Sequence, residues 1–346
     1  MRRSLVAVAA AAVCATAFVA ATSPTAQAAT TSRIPAHVFA PYFEAYNGNS
    51  LSGLSSQSGD KFLTLAFVQT PSQGSCTVYF NGDTSMPIAS GTFGSDISAI
   101  RASGGDVIPS FGGYAADNGG TEIADSCTNV DSIAAQFEKV ITTYDVTRLD
   151  LDIEDNSLTN TAGIDRRNKA IALVEQWAAC THRIVQFSYT LPTFPTGLTT
   201  NGLAVLQNAV ANHARIDVVN IMTFDYYDGL PHEMANDTES AVTAVVGQLK
   251  ALYPDRSTQQ LYAMMGVTEM VGIDDYGPSE TFTTADAVTV EKWVHQKGLA
   301  LLSFWAIERD NGSCVGTQGA GACSGVAQSD WYFSHTFEPF TSHTWW

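Results

Sequence analysis

Basic residues are scarce in this chain: 17 Lys and Arg stand against 34 Asp and Glu, a formal charge of −17. A surface of that sign repels nucleic acid and anionic membranes, so a neutral substrate fits it better than a phosphate-bearing one. Apolar runs long enough to span a bilayer are missing too. The one apolar stretch of any length, residues 5–21, is too short and too rich in alanine. The seven histidines show no metal-ligand spacing and there is no CxxC pair, which argues against zinc. No Gly-rich phosphate turn follows the first apolar strand, and nothing else implies a metal or nucleotide cofactor. Internal repeats and a Pro/Thr-rich linker to a second module are likewise absent.

The N-terminus reads as a secretory signal over residues 1–28. Arg2 and Arg3 form its basic start, the alanine-rich run its apolar centre, and Ala26-Gln27-Ala28 a small-residue cleavage site. The expectation is an exported, extracellular monomer without a membrane anchor. Residues 29–36 form a short Thr/Ser/Ala linker, and 37–346 are enough for one large core. Cys14 leaves with the signal, and the five remaining cysteines meet an oxidising compartment. Cys314 and Cys323 flank a Gly-rich loop and suit a local disulfide. Cys76 and Cys127 each lie in a long loop, so they can join on one face. Cys180 is then the odd free thiol.

What the chain does have is Arg148-Leu149-Asp150-Leu151-Asp152-Ile153-Glu154, an apolar/acidic alternation of period two. On a strand this puts Leu149, Leu151 and Ile153 on one face and Asp150, Asp152 and Glu154 on the other, roughly 7 Å apart. A solvated edge strand would mix Lys or Thr into that face, and a calcium site would draw its ligands from a loop. A row of acids in a cleft instead splits its pKa values, making a proton donor of one and an orienting anion of its neighbour. Glu154, nearest the C-terminal end of the strand, is the natural donor.

Strand-like runs occupy residues 37–42, 61–69, 107–113, 148–154, 183–191, 218–226, 261–267 and 299–305. Helical periodicity falls at 96–102, 131–144, 160–180, 202–214, 238–252 and 284–296. Nearly continuous apolar strands alternating with helices imply parallel pairing covered on both faces. Eight such units point to a closed α/β fold, a (β/α)8 TIM barrel. Barrel chemistry sits at the C-terminal strand ends, where the acidic row, Ser110-Phe111-Gly112-Gly113, Met222 to Tyr226 and Trp305 all fall. Tyr42, Phe67, Tyr114, Tyr189, Phe224, Tyr226 and Tyr227 join them there, with Asp225. Aromatic faces stack on sugar rings, and a carboxyl protonates a glycosidic oxygen. A lone strand-end Tyr or Phe is more often core, but Trp305 closes the last strand just before polar Glu308-Arg309-Asp310 and suits a sugar platform.

Four motifs in this order resemble those of the family 18 glycoside hydrolases, the chitinase family. Ser110-Phe111-Gly112-Gly113 resembles SxGG, Thr147 to Glu154 resembles DxxDxDxE, Met222-Thr223-Phe224-Asp225 resembles MxYD, and Trp305 resembles the eighth-strand Trp. Thr268 to Gly272 resembles the bacterial subgroup that lacks an inserted α+β domain. The resemblance implies a chitinase acting on chitin or N-acetylglucosamine oligosaccharides, endo-acting rather than exo-acting. Glu154 would be general acid and base, and the substrate's own N-acetyl oxygen the nucleophile. Asp152 would orient the acetamide, Asp150 would lie behind it sharing a proton, Asp225 would hold the distorted sugar and Trp305 would stack beneath it. Thr147 departs from the first Asp of its motif, a structural position in the family. Phe224 departs from Tyr and removes a donor to the acetamide oxygen, for which Tyr226 or Tyr189 are the candidate substitutes. An endo-β-N-acetylglucosaminidase of N-glycans and a non-catalytic sugar-binding barrel remain the alternatives.

Overall fold

The computed structural model describes residues 32–342; the expected leader over 1–28 and the last four residues lie outside that range. The described residues build eight parallel strand positions with a helix after each. The first strand, β1, has two segments, Val38–Phe39 and Tyr42–Glu44, interrupted at Pro41, whose ring removes a ladder donor. It is followed by β2 Phe62–Gln69, β3 Asp106–Gly112, β4 Arg148–Asp152, β5 Gln186–Phe194, β6 Val218–Met222, β7 Met265–Met270 and β8 Leu301–Trp305. The intervening helices are α1 Leu51–Ser58, α2 Gly94–Ala102, α3 Val130–Tyr144, α4 Thr161–Cys180, α5 Thr200–Ala211, α6 Met234–Leu252 and α7 Thr284–Lys297, with α8 Tyr332–Phe337 last.

The two segments of β1 close the sheet on itself. Val38 pairs with Leu301 of β8, while Tyr42 pairs with Thr64 of β2, so one strand joins both edges. The (β/α)8 barrel read from the alternation is the fold, and the connection between β7 and α7 carries only a small hairpin, Gly272–Ile273 with Thr281–Phe282.

Local sequence accounts for the helices. In α3, Asn129 caps the N-terminus by accepting the Ser132 N–H, and Ile133, Phe137, Val140, Ile141 and Tyr144 bury one stripe against the sheet. Leu149, Leu151 and Ile153 pack in that same helix–sheet core. Strand residues of the opposite parity fill the barrel interior, where Val38, Ala40, Phe62, Ile108, Val218 and Leu301 pack together.

Four expected strands change, among them 183–191, which runs instead from Gln186 to Phe194. Residues 261–267 begin as a helical turn, Thr258–Tyr262, because Ser257 and Gln260 form a capping box; the strand follows at Met265. The run 218–226 stops at Met222, and 148–154 stops at Asp152. Cys76–Cys127 and Cys314–Cys323 are disulfides as read. Cys180 is not the free thiol expected: it lies exposed at the end of α4 and is not free.

Candidate active site

The registers of β3, β4 and β5 align Ser110 with Asp150 and Ser188, and Gly112 with Asp152 and Thr190. Four hydroxyls therefore converge on Asp150: Ser188 at 2.6 Å, Ser110 at 2.7 Å, Thr190 at 2.8 Å and Tyr42 at 3.0 Å. Burial still pushes the Asp150 carboxyl up, with those hydroxyls pulling the other way. Ser110 and Tyr42 thus bind a carboxylate under the site; the expectation that they touch substrate directly is corrected, because neither lines the cavity.

Asp152 is buried, and its Oδ1 has no hydrogen-bond partner. Burial holds its pKa well above the usual carboxylate range, and the charges of Glu154, Asp150 and Asp117 add to that. Glu154 lies two residues past the end of β4 in extended backbone (φ −130°, ψ 177°), just before the tight helical turn Asp155–Leu158. It is half-buried, and its carboxyl is pushed up to about 7, chiefly by burial. The Tyr114 N–H opposes that rise, and the charge of Asp155 assists it. A carboxyl poised near neutrality at the end of a barrel strand is fit for proton transfer.

Asp152 and Glu154 open onto a cavity of about 540 Å³. Trp305 forms one wall, lying nearly parallel to Phe67 (10°) at 5.6 Å between ring centroids, and Tyr42 packs against both. Gly112 and Gly113 were expected to contact substrate. Both instead permit close approach inside the protein. A Cβ on Gly113 would sit 2.5 Å from the Phe67 ring, and one on Gly112 2.0 Å from the Asp152 carbonyl oxygen, each at positive φ.

Met222, Phe224, Asp225 and Tyr227 also line the cavity. Because β6 ends at Met222, the chain turns here; Asp225 and Tyr227 both have positive φ, 53° and 52°. Asp225 donates its N–H to Asp274 and accepts from the Tyr276 N–H. Burial, with Asp274 and Asp275 nearby, pushes its carboxyl up to about 8. Tyr226, expected to share the face of Phe224, points elsewhere. It is buried against Phe194 and His232 and does not line the cavity. Tyr189 is corrected as well: it sits on the outer face of β5, donating its hydroxyl to Asn168 of α4 at 3.0 Å. Neither can supply the donor missing at Phe224. The exposed phenols on the cavity are those of Tyr227 and Tyr114.

Asp155, Pro192, Met270 and Asp275 also line the cavity. None was singled out as a site residue from the sequence: Asp155 and Asp275 lie outside the strands and carry no period to read, while Pro192 and Met270 sit at the ends of β5 and β7. No basic side chain is among the lining residues. Asp225, Asp274 and Glu280 come within metal-ligand reach of one another. Their oxygens, however, are already acceptors for the backbone N–H groups of Asp225, Tyr226, Tyr227, Tyr276 and Gly277. That wiring is what a turn needs rather than a cation.

A family model described as "Glycosyl hydrolases family 18" matches residues 38–298. A protein of Escherichia coli (strain K12) named "Probable bifunctional chitinase/lysozyme" is 32% identical over 319 residues, covering 89% of this chain and 35% of that protein. "Endochitinase 11" of Metarhizium anisopliae is 33% identical over 290 residues, covering 80% of this chain and 53% of its own length. This chain therefore spans about a third and about half of these two relatives. Among solved structures, active domain 2 of the chitinase from Pyrococcus furiosus, in catalytic-site mutants, superposes with a TM-score of 0.78 at 30% identity, over 90% of this chain and 98% of that one.

Proposed function

Because this chain belongs to the glycosyl hydrolases of family 18, we propose that it is a secreted, endo-acting chitinase working by substrate-assisted retention. The observation that carries this reading is the pairing of Glu154, a carboxyl held protonated to about pH 7, with Asp152, whose buried Oδ1 has no protein partner. An unpartnered buried acceptor calls for a donor, and the acetamide N–H of an N-acetylglucosamine unit is a donor of the right kind. Accepting that N–H would turn the acetamide oxygen toward the anomeric carbon, while Glu154 gives its proton to the leaving oxygen. The carbonyl oxygen then closes the oxazolinium ring, and Glu154, now a carboxylate, takes a proton from the water that opens it. Trp305, backed by Phe67, would carry the apolar face of the sugar. Asp225, protonated to about pH 8, would donate to a sugar oxygen. The acetamide oxygen would take its hydrogen bond from Tyr227 in place of the Tyr lost at Phe224. The two disulfides, and the leader-like sequence of residues 1–28, support export to an oxidising compartment.

The test is to incubate the chain with a soluble N-acetylglucosamine oligomer and follow the newly formed anomer by proton NMR. Fresh β-anomer supports the mechanism. An α-anomer would sink the retaining route. Tight binding without cleavage would make the protein a sugar-binding barrel, and cleavage of N-glycan cores alone would move the substrate to glycoproteins.

A further inference from the structure

We infer that Asp117, which no motif marks, is a positioning residue for the general acid Glu154; the inference rests on the catalytic reading above. It lies in the helical turn Tyr114–Gly119 that follows Gly113 directly, and that one turn grips Glu154 at both ends. The Tyr114 N–H faces the Glu154 carboxyl and lowers its pKa, while Asp117 Oδ2 accepts the Glu154 backbone N–H.

The acceptor is needed because the sheet no longer provides one. The Ile153 N–H still reaches the Thr190 carbonyl at 3.0 Å, continuing the β4–β5 ladder. One residue later the chain turns away, and Asp155 takes a left-handed conformation at φ 37°. Glu154 is therefore the hinge between ladder and turn. Its N–H is what ties that hinge to the neighbouring strand end, and the direction of its side chain follows the peptide plane so fixed.

Asp117 is itself enclosed by the protein. It is fully buried, and Oδ1 has no hydrogen-bond partner. Arg167 and Glu122, both about 1% exposed, form an ion pair at 2.9 Å beyond it. Burial first, and then the charge of Glu122, hold the Asp117 carboxyl well above the usual range. Gly112 completes the arrangement: a Cβ there would lie 3.4 Å from Asp117 Oδ1 as well as against the Asp152 carbonyl. The far side of Asp117 borders a polar cavity of about 290 Å³ lined by Asn118, Asp125, Asn156 and Asn160. Space left by truncation would join that cavity rather than form a sealed void.

A misplaced acid has a specific signature. It slows departure of a sugar, which needs the proton, and spares departure of an activated phenol, which does not. The experiment measures kcat/KM of the full chain on an N-acetylglucosamine oligomer and on a dinitrophenyl β-glycoside of N,N′-diacetylchitobiose, for the native protein, D117A, D117L and D117N. Protonation by a placed acid is worth about 10²–10⁴; D117A and D117L are expected to lose about 10–100-fold on the oligomer and less than about threefold on the aryl glycoside. D117N keeps an oxygen for the Glu154 N–H and is expected to restore both rates. Equal losses on the two substrates, or no loss on either, would overturn the inference. So would unfolding of both D117A and D117L beside a folded, active D117N, since Asp117 would then serve the turn and not the acid. A native chain that cleaves neither substrate would instead remove the catalytic reading, and this inference with it.

Discussion

The alkaline side of the pH profile is the sharpest consequence of the geometry. Burial lifts the Glu154 carboxyl from an ordinary 4.5 to about 7, and only the protonated form can serve as acid. At pH 6 about nine in ten molecules would carry that proton, against about one in thirty for an unshifted Glu, a difference of about 30-fold in active enzyme. Above pH 7, kcat/KM on an N-acetylglucosamine oligomer should fall about tenfold per unit, leaving about one-eleventh at pH 8. The assay is kcat/KM from pH 4 to 10, with the fold checked by circular dichroism at each end. The limb belongs to Asp152 and Glu154 together, because adjacent carboxyls titrate as a group. Asp155→Asn removes a charge that raises the Glu154 pKa, so the limb should move to lower pH in that variant. On an aryl glycoside with a good leaving group the limb should be shallower, since departure no longer needs the acid. A profile already falling between pH 4 and 5 would refute the claim that this pocket tunes Glu154. A limb that Asp155→Asn moves upward would refute the sign of that charge's effect.

Glu154→Gln should lower kcat by about 10³ while leaving oligomer affinity within a few-fold; calorimetric titration separates the two, and near-native turnover would end the assignment. Tyr227→Phe should lower kcat about 10²-fold if its phenol supports the acetamide oxygen, and unchanged kinetics would remove it from the mechanism. Glu269 offers a test of stability. It is buried on β7, accepts the hydroxyls of Thr223 and Thr238, and is pushed up from 4.5 to about 8. Between those values the folded chain holds a proton that the unfolded chain has lost, so its contribution is full below about 4.5 and is lost as pH rises to about 8. Glu269→Gln should flatten the melting-temperature profile across that window; a steeper decline would reverse the sign.

Period two was readable at β4 because one face alternates against the other in size and charge: Leu149 and Leu151 outward, Asp150 and Asp152 inward. The same logic failed at Tyr226. Its extrapolation assumes that β6 continues, and the strand ends at Met222, after which Asp225 and Tyr227 adopt left-handed backbone. Nothing in Met222-Thr223-Phe224-Asp225 announces that stop, since the acceptors that hold the turn, Asp274 and Glu280, lie about fifty residues downstream. At β5 the signal was present but read with the wrong weight. Ser188 and Thr190 are small and polar, Phe187, Tyr189 and Leu191 large. A barrel interior crowded by Tyr42 and Asp150 has room for the small set only, so Tyr189 had to face the helices. Size parity, more than hydrophobicity, tells inside from outside when both faces of a strand are buried.

The residues that escaped the sequence reading share a cause. Asp117, Asp155 and Asp275 sit where strands have ended, and their places are set by which backbone N–H groups the ladder leaves unpaired. Strand periodicity locates Glu154 to within two residues of a strand end. What it cannot supply is the acceptor for the Glu154 N–H, which comes from a turn 37 positions earlier. The acidic row therefore identifies the reacting carboxyls, while the pocket that gives them different pKa values is assembled by loop residues. Substituting those loop residues should alter pH dependence and leaving-group preference, whereas substituting Asp152 or Glu154 should remove turnover itself.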